Sequence, residues 1–200
     1  MKYGKKIALA LLSLCIILGV TGCVSPFYGT ARIEKGFHMD AGLAATSFLQ
    51  PGDPPSYCVG GRVDCEARYG FNEYLGLNGR AGLCYGKEVP FDSSGFGAAG
   101  NVAIGVQGAL PLKFITPALR IELTHYTYPT IAPTLLLGIG QREFITLGAR
   151  ASIESIIMFD GIDVFLTVHP TSNWSVFGGV HFTSYQEEPL AAIGVGYKLK

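Results

Sequence analysis

Arg62, Asp64, Glu66 and Arg68 recur at every second position between Tyr57 and Tyr69. On an extended chain that spacing puts all four on one face. Asp40, Arg80, Arg120 and Glu122 hold the matching phase of neighbouring segments, which brings eight charges to one face of the fold. Enclosed together, they are expected to form an ion-pair network that satisfies its own buried charge, with a small polar conduit or solute site as the alternative. The four histidines, His38, His125, His169 and His181, are dispersed, and no His-x-x-x-His or Cys-x-x-Cys spacing occurs. No metal or other cofactor is therefore expected.

The elements that must carry these charges read as strands. In Tyr57–Tyr69 the odd positions are apolar or small, with a tyrosine at each end, and the even positions hold the charges. Twelve steps of about 3.3 Å, tilted by about 40°, span roughly 30 Å, the hydrocarbon thickness of a bilayer. Nine further segments alternate similarly: about 33–47, 75–85, 101–110, 119–124, 134–139, 144–152, 162–168, 174–184 and 190–199. The connections 70–73, 113–117, 140–143 and 170–173 are short. Those at 50–56, 86–97, 128–133, 153–160 and 186–189 are mostly longer. An even strand count then puts both chain ends on the short-turn side. The predicted fold is all-β, a closed antiparallel up-and-down barrel of about ten strands (eight to ten) over residues 33–200.

Alternation alone leaves open which face points outward, because a soluble barrel has the same period. Three features favour an apolar exterior. Lysines beyond the leader sit at strand ends or in loops, whereas Arg62, Arg68, Arg80, Arg120 and Arg150 lie within strands, as suits pairing in a confined lumen. Small residues such as Gly76, Gly82, Gly105, Gly179, Gly194 and Gly196 crowd the polar phase. Aromatics gather near strand ends (Tyr57, Tyr69, Tyr74, Tyr85, Tyr126, Tyr128, Trp174, Tyr185), like interfacial girdles. Cys58 and Cys84 share the polar phase on adjacent strands. If paired residue numbers sum to 142 they face each other and can form a disulfide; a sum of 144 instead sets Asp64 against Arg80 and leaves the cysteines diagonal.

At the N-terminus, Lys2, Lys5 and Lys6 precede an apolar run from Ile7 to Val20, too short for a spanning helix and suited to a secretory leader. The run ends in Val20-Thr21-Gly22-Cys23, which resembles the bacterial lipobox. That resemblance implies a signal peptide over 1–22, acylation of Cys23 and an acylated tether over 23–32. Val24 after the cysteine favours outer-membrane delivery. Leu190–Lys200, with Gly194, Tyr197 and Leu199, is similar to the assembly signal of bacterial outer-membrane barrels, although the chain ends on Lys200 where an aromatic residue is usual. Together these features resemble the small bacterial outer-membrane β-barrel superfamily. The resemblance implies a lipid-anchored protein at the periplasmic face of the outer membrane, with membrane lipid and the barrel-assembly and lipoprotein-processing machineries as partners. Some barrel enzymes, the lipid A palmitoyltransferases and omptin-type proteases, place His with Asp or Ser at the rim. Here His125 and the 86–97 loop with Asp92, Ser93 and Ser94 show no spacing that identifies a triad.

The whole chain carries 15 basic and 15 acidic residues, and without a basic patch nucleic-acid binding has no support. The expected role is non-enzymatic: a structural outer-membrane barrel with a charged, largely filled lumen, or one that presents external loops, above all 86–97, to a partner. A narrow solute channel and a soluble lipid-anchored barrel binding an apolar ligand are the alternatives.

Overall fold

The computed structural model describes residues 26–50, 56–89, 95–125, 129–154, 158–184 and 189–199. The leader, Cys23, Tyr126, Tyr128, Tyr185 and the loop residues Asp92, Ser93 and Ser94 lie outside the described residues.

Ten strands follow in order: β1 (Gly36–Gln50), β2 (Ser56–Gly70), β3 (Leu75–Glu88), β4 (Phe96–Ala109), β5 (Ile115–His125), β6 (Pro129–Ile139), β7 (Ile145–Glu154), β8 (Met158–Val168), β9 (Trp174–Thr183) and β10 (Leu190–Leu199). Each pairs antiparallel with the next, and β10 pairs with β1, so the sheet closes and leaves no edge. The fold is the predicted closed antiparallel barrel.

Its orientation follows from burial. Leu135 and Ile193 are 66% and 65% exposed on the outside, while Arg120 and Glu122 are 0% exposed within. The same inversion holds along β3, where Leu75, Leu77, Leu83 and Tyr85 point out and Asn78, Arg80 and Cys84 point in. A soluble barrel would bury the apolar set; this one turns it outward.

Four expectations need correction. The connections do not fall into two length classes: the set read as short runs four to five residues, and the opposite set three to seven. What distinguishes the two ends is strand length. β4 continues through Phe96–Asn101 beyond Val102, the partner of the last β5 residue, His125. The 86–97 loop is mostly strand, with only 89–95 between β3 and β4. Pro117, Pro129 and Pro133, read as loop residues, lie in β5 and β6. The β6–β7 pairing breaks at Ala132 and Pro133, where a proline brings no N–H to the ladder. Finally, the described part of the tether, residues 26–32, enters the barrel: Phe27 and Ala31 are fully buried and Tyr28 is 5% exposed.

Candidate functional site: a charged lumen and its plug

The inward phase of successive strands places charge and polar groups in a belt around the lumen wall. From β5 to β9 direct cross-strand partners run Arg120, Thr134, Arg150, Asp163 and His181. From β1 to β3 they run Asp40, Glu66 and Arg80. Long side chains then bridge the interior. Arg120 Nη1 lies 2.9 Å from Glu66 Oε1 on β2, and Arg80 Nη2 lies 3.0 Å from Glu122 Oε2 on β5. Glu122 is the hub. It also meets Arg120 at 3.5 Å and Arg150 at 3.9 Å, and accepts a hydrogen bond from Asn78 Nδ2 at 2.7 Å. Arg120 further donates to Gln107 Oε1 through Nε and Nη2. Arg62 pairs with Asp64 at 2.6 Å, and Arg68 with Asp40. All eight charges singled out in the sequence therefore meet in one interior. Arg150, Asp163 and His181 extend the belt, with Arg150 Nη1–Asp163 Oδ2 at 3.2 Å and His181 Nδ1–Asp163 Oδ1 at 2.7 Å. Asp163, between the outward Ile162 and Val164, carried the same alternation signal.

The β2–β3 register is neither of the two considered. Partner numbers sum to 146, so Cys58 faces Glu88 and Cys84 faces Arg62. Cys84 thus stands four residues along from the partner of Cys58, about 13 Å, where a disulfide needs Cα atoms under about 7 Å apart. Neither cysteine is disulfide-bonded. The physical reason lies in the charges: this register sets Glu66 against Arg80 and keeps Arg62 away from Arg80. It also places Gly82 opposite Asp64, where a side chain would collide with the Arg62–Asp64 pair. Cys58 and Cys84 instead pack with Phe48 and Ala99 in a small buried cluster.

The N-terminal segment plugs the opposite half. The Phe27 ring lies 5.4 Å from Phe165, and the Arg120 guanidinium sits 4.6 Å above it. Phe27, Tyr28 and Ala31 join Phe165, Phe177, Leu136 and Leu190 in one apolar core. Tyr28 rests on bare backbone: a methyl at Gly42 would overlap its ring, and one at Gly196 would stand 2.6 Å from it. The plug's own backbone is satisfied by the wall. Thr167 Oγ1 donates to the Phe27 carbonyl at 2.6 Å, and Gln107 Nε2 to the Ala31 carbonyl at 2.8 Å. Glu143, at φ 49° in the β6–β7 turn, accepts from the backbone N–H groups of Ala31 and Arg32. Two aromatics, Phe27 and Tyr28, in the stretch read as a tether were the signal for this plug.

Thr146 Oγ1 donates to Glu143 at 2.7 Å and lies 2.9 Å from His169 Nε2, so its oxygen accepts from the imidazole N–H. Burial raises the Glu143 carboxyl above its ordinary range, against the hydrogen bonds it accepts from Thr146, Arg32 and Ala31. His169 is driven down to about 4, chiefly by burial and then by the charges of Arg68 and Lys198. A histidine depressed from about 6.5 supports the fold fully above that pH, and its contribution disappears as pH falls toward 4. The urea midpoint of the refolded barrel should drop across that window, and His169→Asn should flatten the drop. An unchanged slope in His169→Asn would show that another group titrates there.

At the end where β1 begins and β10 finishes, a cavity of about 890 Å³ opens below the plug, lined among others by Arg32, Arg68, Arg142, His169, Trp174 and Lys198. The predicted assembly-signal residues lie on β10, with Gly194 facing the lumen and Tyr197 and Leu199 facing out.

No protein-family model and no curated protein matches the sequence. Among solved structures the chain is similar to the KdgM porin in complex with disordered oligogalacturonate, at 14% identity over 82% of this chain and 98% of that one, with a TM-score of 0.43. It is also similar to Ail, the attachment invasion locus protein of Yersinia pestis, at 13% identity over 83% of this chain and all of that one, with a TM-score of 0.39.

Proposed function

We propose that this chain is a bacterial outer-membrane β-barrel, anchored through an acylated Cys23, whose lumen is closed by its own N-terminal segment. Its role is non-enzymatic: it is structural, or it holds its long-strand end out to a partner. The observation that carries this is the inversion of polarity, with exposed leucines and isoleucines around a lumen of paired arginines and carboxylates. Strands β5–β10, at 10–11 residues, have the length a tilted strand needs to cross a hydrocarbon core. A soluble barrel binding an apolar ligand inside loses its support, because the interior is charged or packed by the plug.

Single-channel recording in planar bilayers is the test. The full chain should give little or no current, since the plug and the ion-pair belt lie across the lumen. A large, steady open-pore current from pure protein would favour the channel alternative. Heat-modifiable gel mobility of Cys23→Ala separates anchor from barrel: the folded, fast-migrating form should persist without the lipid and still require detergent.

A further inference from the structure

The cavity below the plug is asymmetric in its unspent charge. Its three acids are committed. Glu34 pairs with Lys198 and with His38 at 3.5 Å, Asp40 pairs with Arg68, and both oxygens of Glu143 are taken by the plug backbone. Two guanidiniums form no salt bridge with a carboxylate among the described residues, although the charge of Arg32 is felt by Glu143. Arg32 spends only Nη2, on the Leu112 carbonyl at 3.2 Å and Thr116 at 3.3 Å, and its buried Nε–H meets no acceptor among the described residues. Arg142, exposed at the tip of the β6–β7 turn, has no ion pair among the described residues. A buried guanidinium N–H without an acceptor costs free energy that an oxyanion recovers, and the guanidinium fork matches carboxylate and phosphate geometry.

We propose that this cavity is an anion-binding vestibule in which Arg32 and Arg142 hold the carboxylate or phosphate group of a periplasmic molecule. Both oxyanions share this chemistry, and their source, a free solute or a lipid headgroup, is a matter for the experiment.

Trp174, the only tryptophan of the chain, lines the cavity and serves as a reporter. The full chain, folded in a non-ionic detergent, is titrated with inorganic phosphate and with citrate at constant ionic strength, following Trp174 emission and heat by calorimetry. In parallel, protein is added to vesicles of phosphatidylglycerol or phosphatidylcholine. Saturable binding of the free anions indicates a solute; preference for phosphatidylglycerol alone indicates a headgroup. In either case Arg32→Gln and Arg142→Gln should each weaken binding about tenfold. Lys113→Gln, in a turn at the same end but outside the cavity, should leave it unchanged. Among the described residues Arg142 makes no hydrogen bond or ion pair to the plug, so its variant stands if Arg32→Gln unseats the segment. No saturable signal with any probe, or an unchanged affinity in Arg142→Gln, overturns the proposal.

Discussion

Replacing Glu122 with alanine should destabilise the barrel by about 3–5 kcal/mol, the cost of stranding buried charge. Glu122 is 0% exposed and is the single carboxylate shared by Arg80, Arg120 and Arg150. Its removal leaves three guanidiniums facing one another, with the Glu66 contact to Arg120 and the Asp163 contact to Arg150 as the carboxylate pairs still offsetting them. The attraction of the intact network is largely cancelled by desolvation, so the effect comes from breaking the balance rather than from losing a strong bond. Glu122→Ala combined with Arg80→Met should therefore recover part of the loss, giving a non-additive double-mutant cycle. Urea titrations read by heat-modifiable mobility measure both. A Glu122→Ala midpoint equal to wild type would mean the lumen is hydrated enough to screen its charges.

The second large effect lies on the opposite face. Leu135, near the middle of β6, is 66% exposed. Leu135→Arg should cost about 2–4 kcal/mol if that surface meets hydrocarbon at mid-depth, and Ile139→Arg, at the end of the same strand, only about 0–1 kcal/mol. The gradient with depth is the signature of a bilayer. Were the exterior bathed in water, both substitutions would be near neutral and Leu135→Arg would raise solubility. Folding into lipid vesicles across a urea series distinguishes the two outcomes.

The two effects probe the two faces of one alternation, and that alternation was legible along the chain. Outward Leu83 and inward Arg80 differ only in parity. Arginine within strands, with lysine kept to strand ends and loops, was one of three features that chose the inside. The eight charges could be collected from phase alone, because a closed antiparallel sheet sends every inward residue to one lumen. Asp163 and His181 obeyed the same rule on β8 and β9.

Other properties depended on distances between segments far apart in sequence, which no local period encodes. The β2–β3 register is one: a shift of four residues changes no strand's pattern, yet it separates Cys58 from Cys84 and brings Glu66 to Arg80. The capture of residues 26–32 is another, since a seven-residue segment has no periodicity to read and its affinity for the lumen comes from Gly42, Gln107, Glu143 and Thr167 on four different elements. Residue order by itself determined a ring of strands with oil outside and charge within, because alternation is a property of neighbours. Which charges touch, and what fills the space between them, was decided by closure of the barrel, because only closure sets positions across it.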